Sequence, residues 1–241
     1  MGKNIIELNN SGKILVKVRD KNVTNVDIPN TVTEIARGAF CECKFLKNVV
    51  IPDSVVKIGC RAFYGCTSIE YIDLPSSVMT IEESAFSGCI SLKRITILDS
   101  MVKIGNWAFR GCTSLESIDL PCSVVSIGNA AFKDCISLEN IEIHNLDIDI
   151  GSEAFCKTKW FECQPNGIIY INNALYKNKG DLDVNSIEIR KGTKIICSCA
   201  FEGCSSLNSI TISNSVTKIG RRAFYGWSMF CTVSMNCCIR S

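Results

Sequence analysis

The 241-residue sequence predicts a mostly-β solenoid of stacked 23-residue coils with a parallel sheet on its concave face, and three observations carry that prediction. The pair Ala-Phe recurs from Ala39-Phe40 to Ala154-Phe155 in steps of 23, and returns after one step of 46 at Ala200-Phe201 and then Ala223-Phe224. Two apolar columns keep the same register, one running Leu46, Ile69, Leu92, Leu115, Leu138 and Leu207, the other Ile58, Ile81, Ile104, Ile127, Ile150 and Ile219. Stretches such as Ile118-Asp119-Leu120-Pro121 alternate like a strand and then stop at proline. A coil this small cannot bury its own apolar side. Stacking coils in register does so, with like residues forming ladders about 4.8 Å apart.

The chain divides along this lattice. Residues 1–19 are expected to form an N-terminal capping hairpin: Ile5 to Leu8, the turn Asn9-Asn10-Ser11-Gly12, and a strand in which Ile14, Val16 and Val18 alternate with outward residues. The repeat occupies 20–241, with regular coils over 20–157. Coil 158–180 is rebuilt around an expected hairpin from Ile168 to Tyr176. Regular coils resume over 181–226, because Val184, Ile187, Ile189 and Ile196 keep the register, and a partial coil follows over 227–241. Within a coil, one short strand, a turn, a second extended piece and a tight glycine-flanked turn carrying Ala-Phe follow one another.

The full unit is C-x-S-L-x-x-I-x-I-P-x-S-V-x-x-I-G-x-x-A-F-x-G, best seen from Cys112 to Asp134. Its recurrence over residues 20–239 resembles the BspA-like (Treponema pallidum type) leucine-rich repeat family. That resemblance implies a leucine-rich-repeat solenoid with a role in adhesion and host-surface binding, secreted or displayed at the cell surface.

Composition narrows the function classes. With 26 basic against 24 acidic side chains and a net charge of +2, no strong field exists to collect nucleic acid or an anionic membrane. Nothing reaches membrane-spanning length, and residues 1–20 lack the apolar run of a secretory signal. Of the 16 cysteines, Cys43, Cys66, Cys89, Cys112, Cys135 and Cys204 form one column and are expected to be small buried hydrophobes. Ladder neighbours hold their Cβ atoms parallel, whereas a disulfide needs them converging to about 3.8 Å. No doubled C-x-x-C and a single histidine argue against a zinc site, so no metal or cofactor is expected. Abundant thiols without an export signal favour a reducing cytoplasm. The family resemblance favours the surface, and the sequence leaves that conflict open.

Chemistry is sparse. His144 occupies the column of Pro29, Pro52, Pro75 and Pro121, within reach of Cys122, while Asp99 precedes Cys122 by one coil. A Cys, His, Asp cluster is therefore expected at one point of the surface, but nothing in the sequence supplies an oxyanion hole, so no catalytic residue is assigned and no enzyme activity is expected. Asn9 and Asn22 stand in N-x-S/T sequons.

Constant columns build the core, so partner recognition must fall to variable residues on the strands. Two outward rows run along the strand face. Tyr71, Arg94, Ser117 and Asn140 lie in one, and Asp73, Thr96, Asp119 and Glu142 in the other. These eight residues are the candidate binding patch for a protein or glycan partner, with Tyr71 and Arg94, types favoured as interface anchors, at its heart. The alternative function is structural: Phe230, Val233, Met235 and Ile239 continue the apolar columns, and an open C-terminal coil would associate with another copy.

Overall fold

The computed structural model describes residues 5–180 and 186–227, and the backbone of 232–236. It forms two compact units, Met1–Asn145 with Glu153–Cys163, and Leu146–Ser152 with Gln164–Ser241. Each is a stack of coils of roughly 23 residues, strand-rich and almost free of helix.

In the first unit every coil has three hydrogen-bonded sides. One carries the short strands Asn25–Asp27, Asn48–Val50, Tyr71–Asp73, Arg94–Thr96, Ser117–Leu120 and Asn140–Ile143, which pair in parallel two by two. The second carries two-residue strands such as Lys57–Ile58, Thr80–Ile81 and Lys103–Ile104, and there the parallel ladder runs unbroken from Ile14–Val18 to Ser126–Ile127. The longest sheet thus lies on the piece that sequence alone marks only as extended, because the aligned Ile column seals it from within. The third side is the Ala-Phe turn. There Phe63 N–H donates to the Ala85 carbonyl at 2.7 Å and Phe109 N–H to the Ala131 carbonyl at 2.7 Å.

The core is made of the repeated columns. Phe40, Phe63, Phe86, Phe109, Phe132 and Phe155 are fully buried and stack face to face, with centroids 4.6 to 5.5 Å apart. Parallel coils force this arrangement on identical rings, and each contact adds about 0.5–1.5 kcal/mol beyond buried area. The adjoining Ala column is fully buried too.

The tight turn places the residue before Ala-Phe in the left-handed region: Arg61, Ser84, Trp107 and Ala130 have φ of 51° to 55°. Such a conformation costs a non-glycine residue about 1–2 kcal/mol. The ladder holds it in place, because the same N–H groups bond the next coil, Ser84 to the Asn106 carbonyl at 2.8 Å and Trp107 to the Asn129 carbonyl at 2.9 Å.

The N-terminal hairpin joins Ile6–Leu8 to Ile14–Val18 in antiparallel fashion. Its alternation differs from the expected one: Leu15 and Val18 are buried, whereas Ile14 and Val16 are half-buried. A register shift between Glu7 and Leu8 turns the strand, so that Leu15 faces Ile35 and heads the Ile column. Asn9 serves the turn, its Oδ1 accepting from Ser11 Oγ and from the N–H groups of Lys13 and Ile14.

A short helix, Lys159–Glu162, ends the first unit, and no periodicity in the sequence announces it. Thr158 explains it. It stands in the Cys column, 23 residues after Cys135, and its hydroxyl donates to the Phe155 carbonyl at 2.7 Å while accepting from Phe161 N–H at 3.1 Å. That is an N-cap, and the helix it starts lays Trp160 edge-on against Phe155.

In the second unit Gly167–Ile171 and Ala174–Lys179 form an antiparallel hairpin. Ala174–Lys179 also pairs in parallel with Ile195–Ile196, which in turn pairs with Lys218–Ile219. Leu175 faces Ile196 across only 21 residues, so the rebuilt coil is locally shortened. On the other side Ser186–Glu188, Ser209–Ser213 and Thr232–Asn236 pair in parallel with a 23-residue offset. Phe201 stacks on Phe224, and Trp227 closes that stack edge-on. Val184, Phe230, Cys231, Cys237, Cys238 and Ile239 lie outside the described residues, and of Val233 and Met235 only the backbone is described.

Candidate functional site

The eight residues singled out from the sequence lie on the strand side of the first unit, seven of them exposed and Thr96 half-buried. The strands dictate this. In Tyr71–Asp73 and Arg94–Thr96 the middle isoleucine is buried and its neighbours point away. Tyr71 faces Arg94 and Asp73 faces Thr96 across one strand pair, while Ser117 faces Asn140 and Asp119 faces Glu142 across the next.

The patch carries its own electrostatic order. Thr96 Oγ1 donates to Asp73 Oδ1 at 3.0 Å. Lys93 Nζ bridges to Glu70 at 2.8 Å, which holds the Glu70 carboxyl below its usual range and raises the Lys93 ammonium. The same ammonium sits 5.9 Å from the centre of the Tyr71 ring. Tyr71 is 54% exposed, and Arg94 has no salt-bridge partner among the described residues.

One functional neighbour was missing from the two rows. His144 continues the Asn140–Ile143 strand, two residues beyond Glu142 and so on the same face, and its Nε2 lies 2.9 Å from Asp119 Oδ1. This changes the expected Cys, His, Asp cluster. Cys122, Asp99, Asp119 and His144 do line one groove, with a volume of about 610 Å³, but the imidazole pairs with Asp119 rather than Asp99. Cys122 Sγ donates to the backbone carbonyl of His144 at 3.5 Å instead of to the ring. A thiol paired with a carbonyl gains no general base.

Ser123, in the same groove, breaks a pattern. Ser54, Ser77 and Ser100 each donate to a valine carbonyl 22 residues earlier, at 2.7, 2.5 and 3.0 Å, whereas Ser123 Oγ is buried without a hydrogen-bond partner.

The column cysteines of the first unit are part of the core. Cys43, Cys66, Cys89, Cys112 and Cys135 are fully buried free thiols. Four of them donate to a phenylalanine carbonyl 26 residues earlier, at 3.0 to 3.2 Å. Burial drives the pKa values of Cys43, Cys66, Cys89 and Cys112 up, that of Cys89 to about 12. Trp227 makes the same bond: it replaces the cysteine one coil after Cys204, and its indole N–H donates to the Phe201 carbonyl, again 26 residues back, at 3.2 Å.

Stacked 23-residue coils, a buried Phe column and an exposed strand face define a leucine-rich-type repeat protein. Matches to the BspA-type leucine-rich repeat region cover residues 18–101, 80–183 and 169–241, in six copies. The chain belongs to that family. Among solved structures it is similar to a leucine-rich repeat protein from Bacteroides ovatus, at 27% identity and a TM-score of 0.62, over 95% of this chain and 68% of that one. It also resembles a leucine-rich repeat protein of T. pallidum (24% identity, TM-score 0.54, 94% of this chain and 96% of that one). A third likeness is to the pneumococcal vaccine antigen PcpA, at 24% identity and a TM-score of 0.51, over 95% of this chain and 54% of that one. No curated protein sequence matches the chain. Among the described residues no helix is long and apolar enough to cross a membrane.

Proposed function

We propose that this chain is a non-catalytic recognition module of adhesin type that binds a protein or glycan partner through the outward rows of its strand face. The observation that carries the reading is Tyr71 directly across from Arg94, both exposed, on strands whose alternate residues are locked in the core. Tyrosine and arginine dominate the energetics of interfaces, because each combines large contact area with hydrogen-bonding capacity. A rigid strand frame loses little entropy on binding. Asp73, Thr96, Ser117, Asp119, Asn140 and Glu142 supply a polar surround of the kind that orients a partner. The groove beside Cys122 supports the non-catalytic reading, since its thiol bonds a carbonyl and no imidazole.

A panel of extracellular-matrix proteins and glycans tests this. The wild-type chain is expected to bind at least one member, and Tyr71→Ala combined with Arg94→Ala to abolish that binding. Binding that survives the double substitution would place the patch elsewhere, and a wild-type chain that binds nothing on the panel would remove the adhesin reading.

A further inference from the structure

The row that holds Asp73, Thr96, Asp119 and Glu142 sets acids beside neutral residues with one exception. Across the paired strands Asp27 faces Val50, Asp73 faces Thr96, and in the second unit Glu188 faces Thr211. Asp119 alone faces another acid, Glu142, on the neighbouring parallel strand. Like charges directly opposite destabilise a strand pair. A cation between them reverses the sign of that interaction.

His144 supplies the third donor. It lies two residues beyond Glu142 on the same face, in a column that otherwise holds Pro29, Pro52, Pro75, Leu98 and Pro121 in the first unit and so offers no other side-chain donor there. One ligand atom each from Asp119, Glu142 and His144 lies within 4.8 Å of the others. Metal–ligand bonds of about 2.0–2.2 Å require donor atoms closer together than that, by about 1 Å. All three side chains are exposed, so rotation about their χ angles closes the gap with no movement of the strands.

We propose that Asp119, Glu142 and His144 form a surface site for a divalent transition-metal ion of the zinc class. Imidazole with two carboxylates suits zinc, cobalt or nickel, whereas magnesium and calcium take all-oxygen sets. Three protein donors leave a coordination position open toward the groove lined by Leu98, Asp99 and Pro121, where water or a donor from another molecule completes the shell. Cys122 is not a donor, because its thiol is directed to the His144 carbonyl. The site does not rest on the partner-binding reading, since the chain itself provides every ligand named.

His144 is the only histidine, so its two ring-proton NMR signals report this site and nothing else. Zinc bound to thiols elsewhere in the chain leaves those signals in place. Titration of the full chain with zinc chloride is expected to shift both signals to a saturating limit, with magnesium chloride giving no shift. Asp119→Asn and Glu142→Gln should each weaken the response by about tenfold or more. Cys122→Ser should leave it unchanged. Imidazole signals that ignore zinc would overturn the proposal. So would a response unaltered by Glu142→Gln or Asp119→Asn, or one abolished by Cys122→Ser. Unchanged amide spectra of the variants confirm that the fold is retained.

Discussion

Cys112 Sγ donates to the Phe86 carbonyl at 3.2 Å, a bond that spans 26 residues and ties its coil to the one before it. Both groups are fully buried, so the carbonyl has no water to turn to if the thiol is removed. Replacing Cys112 with Ala is expected to cost about 1–3 kcal/mol, from a lost donor and a small cavity. Cys112→Val separates the two effects because it keeps apolar bulk and lacks the donor. Denaturant melts of both variants are the measurement, and a Val variant as stable as wild type would show that the hydrogen bond contributes nothing.

The thiol column also sets an alkaline limit. Burial raises the folded-state pKa of Cys89 to about 12, above the ordinary thiol value of 9.0, so the folded chain holds its proton after the unfolded chain has released it. Stability is therefore full below about pH 9 and falls as pH rises toward 12. Each such thiol removes about 1.4 kcal/mol per pH unit in that window. Cys197 is raised to about 12 by the same cause and adds to the slope. Urea midpoints measured across this range should fall steadily, and Cys89→Ala should flatten the fall.

Glycines in the coil are required for two different reasons, and substitution separates them. A Cβ on Gly128 would lie 2.4 Å from the Asn106 nitrogen of the preceding coil. Gly111 has open space but a φ of +72°. Gly128→Ala should cost about 1–3 kcal/mol through overpacking between rigid backbones. Gly111→Ala should cost about 1 kcal/mol, through backbone strain alone. Thermal melts that rank the two the other way would contradict the close-approach argument.

What the sequence made legible was whatever repeats. The Phe stack, the Ile ladder and the outward rows follow from one period, because identical residues in stacked coils must meet identical surroundings. Single substitutions within a column were harder to read. Thr158 looks like a conservative exchange for cysteine, yet its hydroxyl turns back to its own chain and starts a helix. Leu15 could not be told from Ile14, because a register shift in the hairpin decides which one faces inward. His144 was placed in its column correctly beside Pro121 and Cys122. Its reach to Asp119 was missed because that contact combines two periods, 23 along the stack and 2 along the strand.

The central claim is that partners dock on the face that carries Tyr71 and Arg94. A photo-crosslinking residue at Ser117, in the same row as Tyr71 and Arg94, tests it against the same residue at Val125, which is 50% exposed away from that face. A covalent adduct with the bound partner is expected from position 117 and none from position 125. An adduct formed from 125 and absent from 117 would contradict it.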